Sequence, residues 1–226
     1  MPPPYILPNQ TISYGMYPAR GLVADWPSSE FFATIRWMVV TYFGQGSFRL
    51  QSGETTLLVD PINNRLKADI VLKTLVATDT VEWSAHEILY PGEYELHGLE
   101  IRGFELAHES TDKFLKTIFH VHWEDMSFAF LGHLSKPLDP ELIDKIGEPD
   151  VLFLPCGGGH FLAAEAAARL VKQVEPHLVI PSFLDSPKEF LKAMDQRVEP
   201  QEKLVFRRKD LTKEVGKVVV LQSSGA

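Results

Sequence analysis

The chain has 226 residues, 45% hydrophobic and 23% charged, the make-up of an ordinary globular protein long enough to bury a substantial core. A formal charge of −8 argues against non-specific nucleic-acid binding, which needs a basic footprint, and the single cysteine, Cys156, excludes an intrachain disulfide or a Cys-rich zinc site. No run approaches the roughly 20 apolar residues of a membrane helix, and the N-terminus lacks the basic start and apolar stretch of a secretory signal, so cytoplasm is the expected location.

Residues 1–34 stand apart as an N-terminal arm, with 35–226 as the main domain. Prolines at 2, 3, 4, 8, 18 and 27 prevent a continuous helix, and Pro2-Pro3-Pro4 favours polyproline II. Tyr5, Tyr14, Tyr17, Trp26, Phe31 and Phe32 make the arm too apolar for a typical disordered tail. Two readings stay open: the arm packs across its own domain, or it docks on another subunit or a protein partner.

Strand character begins at Trp37 to Phe43, turns at Gly44-Gln45-Gly46 into Ser47 to Leu50, and resumes at Thr56 to Asp60 after Gly53. Ile70 to Leu72 is a short apolar run suited to a buried strand. Further strands are expected at Glu87 to Tyr90, Glu93 to His97, Leu99 to Leu106, Thr117 to Trp123 and Ser127 to Leu131, with Pro91-Gly92 and Gly98 as turns. Then the pattern becomes β-α-β: helix Asp139 to Ile146, strand Val151 to Leu154, an amphipathic helix from Leu162 to Val174, strand His177 to Ile180, helix Pro187 to Met194, and strands Lys203 to Phe206 and Lys217 to Leu221. Antiparallel strands early and alternation late predict two mixed sheets flanked by helices, an α/β sandwich of αββα type. Arg207, Arg208 and Lys209 read as a solvated turn between late strands.

Seven segments, in order, carry a family resemblance: Val40 to Phe48, Leu57 to Pro61, Ala68 to Leu72, Pro91 to Glu95, Leu131-Gly132-His133-Leu134, Pro155-Cys156-Gly157-Gly158-Gly159 and Val179-Ile180-Pro181. Together they resemble the metallo-β-lactamase superfamily, in particular its small ascorbate-6-phosphate lactonase-like branch, over roughly residues 38 to 222. The resemblance implies one or two metal ions at the strand ends and a metal-bound hydroxide as nucleophile. The main metal motif of that family is Thr-His-x-His-x-Asp-His. Here the matching stretch is Thr74-Leu75-Val76-Ala77-Thr78-Asp79-Thr80, so Leu75, Ala77 and Thr80 stand where histidines are expected and only Asp79 survives.

His108 falls where the next histidine is expected. The bridging aspartate is replaced by His133, and Phe183 takes the place of the last histidine. Asp60 is retained, where the resemblance implies a brace for the neighbouring loop. Asp79, His108 and His133 are thus the candidate metal ligands, either a rebuilt mononuclear site or a remnant.

Among the other histidines, His120 and His122 share one strand face, which reads as a solvated or interfacial surface. Gly157, Gly158 and Gly159 read either as an anion-binding loop ahead of a helix or as a loop that needs glycine to pass close beside the site. Cys156 and His160 suggest a thiol and its base, against the commoner reading of a buried small hydrophobe.

Two functions follow. In the first, the chain is a non-catalytic pseudoenzyme that needs no cofactor and serves as a binding or assembly module, with a protein partner or a second copy engaged through the arm. In the second, it is a hydrolase of a small ester, lactone or phosphoester, using one divalent metal such as zinc on Asp79, His108 and His133.

Overall fold

The computed structural model describes residues 36–80, 84–211 and 214–225. The arm expected over residues 1–34 lies outside them. In chain order the strands are β1 (Met38–Gly44), β2 (Ser47–Ser52), β3 (Thr55–Val59), β4 (Ile70–Leu72), β5 (Leu75–Ala77), β6 (Glu87–Ile88) and β7 (Gly92–Leu96). They continue as β8 (Leu99–Glu105), β9 (Phe114–Trp123), β10 (Met126–Phe130), β11 (Val151–Pro155), β12 (Leu178–Ser182), β13 (Lys203–Phe206) and β14 (Lys217–Val218). Among the described residues three α-helices interrupt them: α1 (Pro140–Ile146), α2 (Ala164–Val174) and α3 (Lys188–Ala193).

The strands form two mixed sheets. The first has the order β13-β1-β2-β3-β4-β6, antiparallel as far as β3 and parallel beyond it. The second has the order β14-β12-β11-β10-β9-β8-β7, parallel through β10 and antiparallel after it, with β5 paired to the start of β9.

Strand periodicity sorts the apolar residues into two cores. In β11, Val151 and Phe153 face the first sheet, whereas Leu152 and Leu154 face the helices. The inter-sheet core joins Met38, Val40, Leu50, Leu57 and Leu72 to Phe119, Val121, Phe128 and Ile180. The second core packs Leu170, Val171 and Val174 of α2 and Phe190 of α3 on Ile118, Ala129, Leu152 and Val179. Residues of α1 (Ile146, Leu142 and Ile143) complete that layer, so the described helices all cover the second sheet.

Most expected elements are present within a residue or two of their bounds. Strand β5 is not among the expected ones. It falls on the stretch that resembles the metal motif, where three residues pair with Phe114, Leu115 and Lys116 across a long sequence gap. Lys73 and Thr74 are therefore the crossover at which the chain leaves the first sheet and joins the second. Arg208–Asp210 is an exposed 3-10 turn, as the basic cluster suggested, with Arg207 closing on Asp210 at 2.8 Å.

No described helix is long and apolar enough to cross a membrane.

Candidate functional site

Five chain segments reach the same region, each just past the C-terminal end of a strand, the usual place for ligand sites in open α/β sheets. Asp60 follows β3, Thr74 follows β4, His133 follows β10, Cys156 follows β11 and Phe183 follows β12.

Asp60 and Thr74 form the centre. The Thr74 backbone N–H donates to Asp60 Oδ1 at 2.7 Å and the Thr74 hydroxyl lies 2.5 Å from Asp60 Oδ2. Asp60 in turn donates its own N–H to Leu72 O at 2.9 Å. Asp60 thus pins the crossover between the sheets, as the resemblance implied for it. Burial raises its carboxyl from an ordinary 3.8 to about 6, because desolvation outweighs the hydrogen bonds from Thr74.

His133 completes the network, with Nδ1 2.9 Å from the Thr74 oxygen and 3.9 Å from Asp60 Oδ2. Burial, with the Lys116 charge nearby, lowers the imidazole from 6.5 to about 4, so it is neutral at pH 7. The ionised carboxylate only accepts, so it takes the Thr74 proton. The Thr74 oxygen must then accept from His133 Nδ1–H, which leaves Nε2 as a lone pair. Nε2 has no hydrogen-bond partner among the described residues, and the ring lines a cleft of about 260 Å³ with Gln45, Asp60, Pro61, Ile62, Lys73 and Leu75.

Gly132 sets the approach of His133. It has φ +49, and a Cβ there would overlap the Thr74 side chain. Behind it, Lys116 Nζ binds His133 O at 2.8 Å and Glu109 Oε2 at 2.7 Å, and Glu109 also accepts from Ser135 and from the Lys136 N–H. This brace fixes the loop from Gly132 to Lys136.

The far side of His133 is aromatic. Phe183 lies 4.9 Å from it, ring centre to ring centre, and stacks on Phe161 at 4.1 Å. Phe183 holds φ +52, a conformation bulky residues rarely adopt. A Cβ on Gly46 would overlap its ring, and one on Gly157 would overlap its carbonyl oxygen. Gly157 is therefore the glycine of close approach. Gly158 spends its N–H on Leu162 O, so that amide is not free for an anion.

The expected metal ligands separate. His133 lies in the cleft. His108 is 83% exposed in side chain and sits 3.6 Å from Asp139 on a different hollow, lined by Leu106, Leu134, Leu138 and Leu142. Asp79 is exposed in the turn after β5. Among the described residues no three His, Cys, Asp or Glu side chains form a group that could hold a metal ion, so the Asp79, His108 and His133 trio is not brought together.

The superfamily's metal centre does not fit the residues present. Leu75 and Ala77 have no donor atoms, His133 Nδ1 is taken by Thr74, and the Phe183 ring is packed against both Phe161 and His133. Cys156 is buried, which pushes its thiol up to about 12 and leaves it no nucleophile at neutral pH.

His120 and His122 lie opposite Arg102 and Glu100 on the outer face of the second sheet, away from the inter-sheet core. Sequence reasoning missed Thr74 as the hub, and missed the Glu109–Lys116 brace. The available signal for Thr74 was its position two residues past a buried strand, beside the retained Asp60 motif.

Comparison with known proteins agrees with this fold. The profile of the family described as "Beta-lactamase superfamily domain" matches residues 39–182, more than half of the chain. A candidate Zn-dependent hydrolase of the metallo-beta-lactamase superfamily from Thermotoga maritima superposes with TM-score 0.69 at 24% identity, covering 82% of this chain and 100% of that one. A metallo hydrolase from the archaeon Ignicoccus hospitalis gives 0.59 at 20%, covering 76% and 99%. A metallo-beta-lactamase fold protein from Bacillus subtilis gives 0.59 at 12%, covering 84% and 98%. No curated protein matches in sequence. The profile match and the two-sheet architecture together place this chain in the metallo-β-lactamase superfamily.

Proposed function

We propose that this protein is a metallo-β-lactamase-fold binding module that works without the superfamily's metal centre. The observation that carries the reading is the rebuilt strand-end region: Leu75 and Ala77 in place of imidazoles, Phe183 wedged beside His133, and Nδ1 of that histidine committed to Thr74. A cleft remains above this network, with one unprotonated ring nitrogen and a buried carboxylate. Such a site holds a ligand by hydrogen bonds and apolar contact, with fewer donors than the superfamily's metal centre needs. The arm over residues 1–34 would supply the contact to a partner or a second copy, on the strength of its prolines and aromatics.

The second reading is a hydrolase of a small ester, lactone or phosphoester that uses one divalent metal near His133, held otherwise than by the separated Asp79, His108 and His133 trio. It is favoured by the names of structures with this fold, of which two of those compared above are called hydrolases.

Elemental mass spectrometry of the purified, tag-free protein separates the two, run beside a His108→Ala, His133→Ala double variant. The binding-module reading expects no stoichiometric metal in either protein, even after incubation with excess zinc. Near-stoichiometric zinc, iron or manganese that is lost in the variant would establish the hydrolase reading instead.

A further inference from the structure

A second hollow, of about 150 Å³, opens beside α1, and no residue lines both it and the His133 cleft. Its walls are aliphatic. Leu106, Leu134 and Leu138 are buried, Leu142 of α1 is half-buried, and Ala107 and Pro137 add apolar surface at the rim. An engineered cavity of roughly this size with similar walls stays dry and takes up benzene. The hollow therefore fits an apolar body of one ring or a short alkyl chain.

The rim adds one free charge. Glu109 lines the hollow, but its carboxylate is 5% exposed, binds Lys116 at 2.7 Å and accepts from the Ser135 and Lys136 amides. Asp139 faces His108 Nε2 at 3.6 Å. Lys136 is exposed and in no ion pair, and its Nζ makes a single long bond of 3.4 Å to His108 O, on the other lining segment. An ammonium carries three donors, so at least two N–H groups of Lys136 remain for a ligand at the mouth.

We infer that this hollow binds a small monocarboxylate, with its apolar body among Leu134, Leu138 and Leu142 and its carboxylate on Lys136 Nζ. A neutral molecule of the same shape leaves the ammonium unpaired, and a cationic one meets Lys136 as a like charge. The site goes beyond the binding-module reading of the His133 cleft and stands apart from it, because the two share no lining residue.

The test titrates the isotope-labelled full chain with phenylacetate, phenylethanol and phenylethylamine, followed by amide NMR shifts. Phenylacetate is expected to saturate shifts at Leu138 and Leu142, at least fivefold tighter than phenylethanol and tenfold tighter than phenylethylamine. Lys136→Gln removes the charge at an exposed position and keeps the backbone N–H on Glu109, so it is expected to bring phenylacetate down to the level of phenylethanol without changing the alcohol. Ala107→Trp fills the hollow from its exposed rim and is expected to weaken both ligands at least fivefold. Phenylethylamine binding as tightly as phenylacetate, phenylacetate indifferent to either variant, or shifts at Gln45 and Ile62 in place of Leu138 and Leu142 would overturn the assignment. An unshifted spectrum up to the solubility limit of phenylacetate would overturn it as well.

Discussion

The Thr74 hydroxyl lies 2.5 Å from Asp60 Oδ2, and this single contact decides what the site can offer. It takes the Thr74 proton, so the oxygen must accept from His133, and the free nitrogen of His133 is left without a proton. A residue that joins two sheets also sets a tautomer.

The two buried titrating groups pull stability in opposite directions with pH. Asp60 is raised from 3.8 to about 6, so the folded state holds its proton more tightly. Its contribution is fully present below pH 3.8 and is lost as pH rises through about 6, on the order of 3 kcal/mol at most. His133 is lowered from 6.5 to about 4, so its contribution is present above pH 6.5 and is lost as pH falls through about 4. Denaturant melts between pH 4 and 6.5 should show a nearly flat stability for the native chain. Asp60→Asn should then lose stability toward acid, and His133→Gln should gain it. Parallel slopes in the two variants would contradict the network.

Glu109 and Lys116 form the brace under His133, with side chains 5% and 18% exposed. Glu109→Ala strands the ammonium and frees the Ser135 and Lys136 amides. Breaking such a pair from one side is expected to cost about 3–5 kcal/mol, read as a drop in urea midpoint. The Lys116→Met, Glu109→Met pair should recover the part due to the stranded ammonium, while the Ser135 and Lys136 amides stay without Glu109.

Gly46 and Phe183 should be energetically coupled. A methyl at Gly46 meets the Phe183 ring, whereas at Gly53, also left-handed at φ +58, it meets nothing. Gly46→Ala should therefore destabilise more than Gly53→Ala, by roughly 1–3 kcal/mol of overpacking. The excess should shrink in a Phe183→Ala background, where only the backbone penalty remains. A coupling energy near zero in this double-mutant cycle would mean the ring moves aside freely.

Leu75 and Ala77 flank the buried Val76 on one short strand and so share a face. With Leu75→His, Ala77→His and Phe183→His combined, the chain regains imidazoles at three motif positions, of which Leu75 and Phe183 lie beside His133. Zinc uptake at about one equivalent is expected from the triple variant and none from the parent, measured by elemental analysis after dialysis. A triple variant that stays metal-free while folded would show that more than the missing donors keeps zinc out.

Much of this was legible in the residues. The strand runs, the glycine turns and the late β-α-β alternation come from periodicity and local backbone preference, which act over a few neighbours. The loss of donors at Leu75, Ala77 and Phe183 needed only a motif to set them against. Strand β5 was not legible, because three residues carry too little pattern and their partners at Phe114 to Lys116 lie far along the chain.

The same distinction divides the site. Composition and order of segments determined the family, the two-sheet fold and the lack of imidazoles at Leu75, Ala77 and Phe183, because these depend on which atoms the chain possesses. Only the tertiary structure decided that His108 and Asp79 face solvent apart from His133, that Thr74 joins Asp60 to His133, and that Phe183 packs over Gly46. These facts depend on which strand ends the two sheets bring together. Hydrogen-bond partners and burial are properties of that convergence, and no local stretch of sequence contains them.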